Sequence, residues 1–138
     1  MEDGRRNEIE APSGLTFDPL KGRIMIHRNT IEALDTPEYF RFLFNPKRKR
    51  FAVQVCLMGE EGAEKLPALR EGNCCYINSL SLVKYVFRIC NWDLEYTHRV
   101  EGILYREQKL VEFDLSHSWE LRWEELQIAE QKGNDDAD

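Results

Sequence analysis

Cysteine and histidine are the residues of this chain that could carry metal or nucleophilic chemistry. They are Cys56, Cys74, Cys75, Cys90, His27, His98 and His117. Structural zinc sites draw their ligands in close pairs, and no C-x-x-C or H-x-x-x-H spacing is present. A thiol at Cys74 or Cys75 with His98 as its base can be imagined, but neither cysteine lies in a Gly-rich or nucleophile-elbow turn. The sequence therefore predicts no metal site, no catalytic residue and no enzyme.

Phosphate-binding loops are missing from the sequence as well. Neither G-x-x-x-x-G-K-[ST] nor G-x-G-x-x-G occurs. The glycines at positions 59 and 62 enclose Glu60 and Glu61, whose charge repels phosphate. We expect no cofactor.

The most concentrated charge is the basic run Lys47, Arg48, Lys49 and Arg50. A hairpin tip with four cations could enter a nucleic-acid groove or bind an acidic protein surface. Arg41 lies on the strand that leads to this tip and is assigned to the same binding face. The alternative is a solvated turn whose charges oppose aggregation of an edge strand.

Two tryptophans form the second candidate surface. Trp119, Trp123 and Leu126 recur at helical spacing in a segment, 116–131, that we predict to be a helix closed by Gly133. These tryptophans either cover the sheet or present a face to a partner or to a second copy of the chain. The basic run and this helix are thus competing candidates for the binding face.

The clearest structural signal is a β-hairpin that carries the basic run. Phe40, Phe42 and Phe44 alternate on one side of a strand, and Phe51, Val53 and Val55 do so on the next. Asn45-Pro46 begins the turn between them. We predict antiparallel strands over Tyr39–Phe44 and Phe51–Cys56 with these phenylalanines buried.

The other elements give the fold class. A strand over Arg23–His27 and a short helix precede the hairpin, and a strand over Cys74–Ile77, a helix over Leu80–Asn91 and a second hairpin over Glu95–Leu115 follow it. Strand, helix and hairpin thus occur twice. We predict an α+β fold in which an antiparallel sheet of about six strands carries helices on one face and a C-terminal helix; two βαββ units or a coincidental order would both give this pattern.

Composition limits the protein to one domain in a reducing compartment. The chain has 138 residues, of which 42% are hydrophobic and 32% charged, enough for a real core. Residues 1–20 read as a flexible arm, 21–131 as the domain and 132–138 as an acidic disordered tail. No apolar run approaches a membrane span and no secretory signal is present, so we expect a cytoplasmic protein with reduced cysteines.

The stretch from Ile24 through Thr30–Leu34 and Pro37–Lys47 to Phe51–Val53 and Cys56 resembles short uncharacterised proteins of gut Firmicutes and their phages or mobile elements. The resemblance spans about residues 23–115 and carries no activity and no catalytic residues. It implies a small accessory or regulatory protein, a class that includes phage-encoded inhibitors of host defence such as anti-CRISPR proteins.

Together these observations predict a non-catalytic regulatory or inhibitory protein that binds a macromolecule. Its net charge of −6 favours a protein partner over nucleic acid, and a nucleic-acid-binding regulator that uses the basic hairpin is the alternative. The predicted contact residues are Arg41, Lys47, Arg48, Lys49, Arg50, Trp119 and Trp123.

Overall fold

The computed structural model describes residues 13–69 and 74–122. These residues form eight strands and two short helices. The strands are β1 (Ser13–Asp18), β2 (Arg23–His27), β3 (Tyr39–Asn45), β4 (Arg50–Val55), β5 (Glu64–Lys65), β6 (Cys74–Asn78), β7 (Tyr96–Tyr105) and β8 (Leu110–Arg122). The helices are α1 (Arg28–Ala33) and α2 (Leu80–Cys90).

The predicted six-strand α+β fold is wrong. All eight strands join one antiparallel sheet in the order β5-β3-β4-β8-β7-β1-β2-β6, which curls into a half-barrel with only two short helices. The order strand, helix, hairpin does occur twice along the chain, as expected. The first strand of each series, however, does not pair with its own hairpin: β2 pairs with β1 and β6.

Two segments account for most of the difference. Residues 13–18, which were placed in a flexible arm, form the buried strand β1 between β2 and β7. Residues 116–122, which were placed in a helix, continue β8 instead. The rest of the predicted C-terminal helix and the acidic tail lie outside the described residues.

The hairpin of β3 and β4 is confirmed. Phe40 pairs with Val55 and Phe44 with Phe51 in one antiparallel register. Phe40, Phe51 and Val53 are buried, whereas Phe42, Phe44 and Val55 are only partly covered. The predicted burial is thus correct for Phe40 and wrong for Phe42 and Phe44. The inward side of the hairpin is therefore only partly covered by the core.

Helix α2 fills the concave side of the sheet. Val83, Val86 and Phe87 are its buried residues, and they form one stripe at helical spacing. Tyr85 packs edge-on against Phe44 of β3 with ring centroids 5.6 Å apart. The helix ends as predicted at Asn91, whose left-handed backbone (φ 57°) lets Trp92 N–H reach the Phe87 carbonyl.

Strand β8 changes register opposite β7 between Val100 and Gly102, so that Val100 pairs with Ser118 and Gly102 with Phe113. A Cβ atom at position 102 would lie 2.6 Å from Val111 and 2.7 Å from Phe113. Glycine is therefore required here, because the side chains of β8 fold over the β7 backbone at the irregularity.

The gap between the two edges of the sheet is bridged by residues that follow β5. Leu66 N–H donates to the Glu38 carbonyl next to β3, and the Cys75 thiol of β6 donates to the Pro67 carbonyl at 2.9 Å.

Neither described helix has the length and apolar character needed to span a membrane.

Truncation of Phe51 tests this account of the core. Phe51 is fully buried and meets aromatic rings of β1 and β3, so Phe51→Ala should lower the free energy of unfolding by about 3–5 kcal/mol. Leu43→Ala on the opposite side of the neighbouring strand should cost well under about 1 kcal/mol. Chemical denaturation of both variants measures the difference, and equal losses would contradict the assigned inward and outward faces.

Candidate functional site

The first three cations of the basic run lie at the tip of the β3–β4 hairpin, in the turn formed by residues 46–49, and Arg50 begins β4. The Asn45 side chain accepts a hydrogen bond from Arg48 N–H at 3.1 Å, and Lys49 adopts a left-handed backbone (φ 56°) that closes the turn. Lys47, Arg48 and Lys49 are exposed. None of these three side chains forms an ion pair with the described residues.

Arg50 differs from the three cations that precede it. Its guanidinium group lies 3.4 Å from a Glu112 carboxylate oxygen and 3.8 Å from one of Asp114, both on β8. The pKa of Asp114 is lowered, first by the hydrogen bond from Ser116 N–H and also by the charge of Arg50. The structure therefore divides the predicted block into three unpaired cations and one neutralised arginine.

Arg41 shares the outer face of the sheet with Arg50. Its Nε donates to the Gln54 side-chain oxygen at 3.0 Å, and its Nη1 donates to the Glu61 carbonyl at 3.2 Å. Both arginines are thus held in place by neighbouring strands or loops. A guanidinium group fixed in this way loses little conformational entropy when a partner binds.

Sequence reasoning missed the apolar residues that lie among these arginines. Leu43 is 39% exposed, Ile103 is 65% exposed and Tyr105 is 39% exposed, while the small Ala52 is buried among them. We call Leu43, Ala52, Ile103 and Tyr105 the outer patch. The register places Leu43 opposite Ala52, Ala52 opposite Glu112, and Glu112 opposite Ile103, so the patch crosses four strands.

The signal for the outer patch in the sequence was ambiguous. Ile103, Leu104 and Tyr105 are consecutive and bulky, and period-2 alternation cannot say which side of such a strand faces the core. The pairing of Leu104 with Val111 fixes Leu104 inward and its two neighbours outward.

Trp119 is not brought to the hairpin. It lies on β8 opposite Arg99, beyond the register change, and is 52% exposed. Since this segment is a strand, the predicted helical stripe of tryptophans is wrong for Trp119. Trp123 lies outside the described residues.

A serine, a histidine and a glutamate lie close together where the start of β7 pairs with the end of β8. His98 Nδ1 lies 3.4 Å from Ser118 Oγ, and His98 Nε2 lies 3.9 Å from a Glu120 oxygen. His98 is fully buried, stacks on Trp92 at 4.2 Å, and burial lowers its pKa despite the opposing charge of Glu120. The imidazole lies between the rings of Phe87 and Trp92, so His98 packs as a residue of the core.

The remaining candidate ligands are dispersed. Among the described residues no three His, Cys, Asp or Glu side chains come close enough to hold a metal ion. The four cysteines, all of them described, stand outside disulfides. Burial raises the pKa of the thiols of Cys56, Cys75 and Cys90, which makes them poorer nucleophiles at neutral pH.

Comparisons with known proteins found no match among family models, curated proteins or solved structures.

His27 supplies a test of the buried polar contacts. Its Nε2 lies 2.7 Å from Thr16 Oγ1, and burial, with a smaller contribution from Arg99, lowers its pKa from 6.5 to about 4. The unfolded chain therefore binds a proton between these values that the folded chain does not. The contribution of His27 to the free energy of unfolding should be fully present above pH 6.5. It should fall as the pH drops toward about 4, by at most about 1.4 kcal/mol per pH unit.

The measurement is the free energy of unfolding against pH for wild type and His27→Gln. Glutamine does not titrate, so the variant should show a shallower loss, with a remainder from His98. Identical slopes for wild type and His27→Gln would rule out the proposed burial of neutral His27.

Proposed function

We propose that this chain is a non-catalytic binding module whose partner is a protein and whose contact surface is the outer patch with Arg41 and Arg50. The observation that carries the proposal is the exposure of Leu43 and Ile103 beside arginines already held by their neighbours. Apolar side chains with prealigned arginines are the composition of protein-binding surfaces.

Charge supports a protein partner over nucleic acid. The outer face carries Glu112 and Asp114 next to Arg50, so a phosphate backbone laid on it would meet two carboxylates. The net charge of −6 opposes polyanions at longer range. Neither feature hinders a neutral or mixed protein surface.

A second candidate, a nucleic-acid-binding regulator, rests on the tip alone. Lys47, Arg48 and Lys49 are exposed and have no ion-pair partner among the described residues. Three cations could contact about three phosphates, and each contact would contribute about one released counterion to the salt dependence.

A small binding protein that catalyses no reaction can regulate its partner by covering a surface that the partner needs for its own activity. Inhibition of a host protein, the role implied by the resemblance to phage and mobile-element proteins, is the form of regulation that we propose. We further propose a cytoplasmic location, because buried cysteines outside disulfides are typical of a reducing compartment.

Substitution of the outer patch tests the proposal. The tagged full chain is used to recover its partner from its native cells with and without nuclease, and affinities are then measured with the purified partner. Leu43→Gln with Ile103→Gln should weaken binding at least tenfold, about 1.4 kcal/mol, because the apolar contacts are lost without a change in charge. Leu94→Gln, an exposed leucine elsewhere, should bind as wild type does.

The tip separates the two candidates. Replacement of Lys47, Arg48 and Lys49 by serine should leave the melting temperature unchanged, since exposed turn charges contribute little to stability. With a protein partner this variant should mainly slow association, and nuclease should have no effect. Loss of the partner on nuclease treatment, or wild-type affinity in the outer-patch variant, would refute binding through the patch.

A further inference from the structure

A groove of about 310 Å³ opens at the rim of the half-barrel, on elements remote from one another in the sequence. Its apolar lining is Ala33, Leu34, Pro37, Val55 and Leu104. Its charged lining is Asp35, which follows α1, and Arg106 and Lys109, which lie in the β7–β8 turn. Clefts of this size are at the lower end of those that bind small molecules.

Asp35 carries its charge at the C-terminal end of α1, where a carboxylate is unfavourable for stability. Helix α1 ends with Thr36 N–H bonded to the Ile31 carbonyl at 2.9 Å and Asp35 N–H bonded to the Glu32 carbonyl at 3.0 Å. The residue after the cap must then be left-handed, and Asp35 has φ 61°. Glycine or asparagine is preferred there, and α2 has Asn91 at its own end.

The charge of Asp35 adds to this cost. A carboxylate at the C-terminal end of a helix meets the negative end of the helix dipole. No described residue forms an ion pair with Asp35 that would offset the repulsion. A carboxylate at the edge of a groove, with no ion-pair partner among the described residues, is suited to binding a cationic group.

The two cationic residues of the groove, Arg106 and Lys109, lie in the turn between β7 and β8. Lys109 is held by a left-handed backbone (φ 55°), and its carbonyl accepts a hydrogen bond from Val55 N–H at 2.9 Å. Arg106 begins the same turn, since its carbonyl accepts from Lys109 N–H at 3.2 Å. Both side chains are exposed and form no ion pair with Asp35.

We propose that this groove binds a small zwitterion with an apolar body, the chemistry of an apolar amino acid or of a dipeptide built from such residues. Its ammonium group is held by Asp35 and its carboxylate by Arg106 and Lys109. Its side chain packs on Leu34, Val55 and Leu104. A fatty acid or another simple anion fits less well, because Asp35 would repel it. This site is separate from the outer patch and does not depend on a protein partner.

Calorimetric titration of the full chain tests the proposal with L-leucine, L-phenylalanine and the dipeptide Leu-Leu. N-acetyl-leucine lacks the ammonium group and leucinamide lacks the carboxylate, so each should bind at least tenfold more weakly than leucine. Asp35→Asn should weaken leucine and leucinamide tenfold, and it should strengthen N-acetyl-leucine, an anion that Asp35 repels. Arg106→Gln with Lys109→Gln should weaken leucine and N-acetyl-leucine and spare leucinamide. If leucine binds more tightly than Leu-Leu, the ligand is a free amino acid; if Leu-Leu binds more tightly, the ligand is a dipeptide.

Two controls keep the result unambiguous. Lys84→Gln with Arg88→Gln removes two exposed cations of α2, away from the groove, and should not alter binding. Asp35→Gly should raise Tm by about 3 °C while it abolishes binding, since glycine relieves the backbone and removes the carboxylate. We expect a Kd of about 1 mM or lower, which corresponds to a binding free energy of about 4.1 kcal/mol or more. The proposal is overturned if none of the zwitterions binds at a concentration of about 10 mM. It is also overturned if Asp35→Asn binds leucine as wild type does, or if Asp35→Gly lowers Tm.

Discussion

The contact on which the structure depends is the edge-to-face packing of Phe17 against Phe51, with ring centroids 5.2 Å apart. These residues belong to β1 and β4, which are separated by β8 and β7 in the sheet. In a flat sheet, strands three positions apart lie about 14 Å from each other. Rings on them can touch only when the sheet curls, so this contact is both the evidence for the half-barrel and one source of its stability.

Curling determines where binding surfaces can lie. Trp92, which follows α2, packs on Phe17 at 5.6 Å and stacks on His98, and Phe87 meets both Trp92 and His98. The concave side is therefore filled by aromatic rings and by the helix, as in other small barrels. What the described chain can offer to other molecules is its convex face, its hairpin tip and its rim, and the proposed sites lie on these parts.

The sequence predicted those features that depend on neighbours in the chain. Alternation and Asn45-Pro46 were enough for the first hairpin, and the apolar stripe and Asn91 were enough for α2. Strand β1 was missed because it has only two inward apolar residues, Leu15 and Phe17, between two prolines. The extension of β8 was misread because Ser116, His117 and Ser118 are polar and the tryptophan spacing of four is even, which suits a strand face as well as a helix stripe.

The proposed binding surfaces were less predictable for a related reason. Asp35, Val55 and Arg106 come together only through the pairing of distant strands, and no local motif marks the groove. The partners of Arg50 are likewise separated from it by about sixty residues, so the basic run was expected to act as one block. The fold thus decides which cations remain available.

Pairing of Arg50 gives the two ends of the basic run different physical roles. Its ion pairs are partly exposed, and such pairs contribute at most about 1 kcal/mol, so they hold the hairpin only weakly. Their larger effect is to neutralise the convex face and to fix the guanidinium beside the outer patch. Lys47, Arg48 and Lys49 are exposed and have no ion-pair partner among the described residues. Unpaired charge acts over about 8–10 Å, whereas apolar side chains must touch. In the proposed function, the tip would therefore steer a partner before the outer patch holds it.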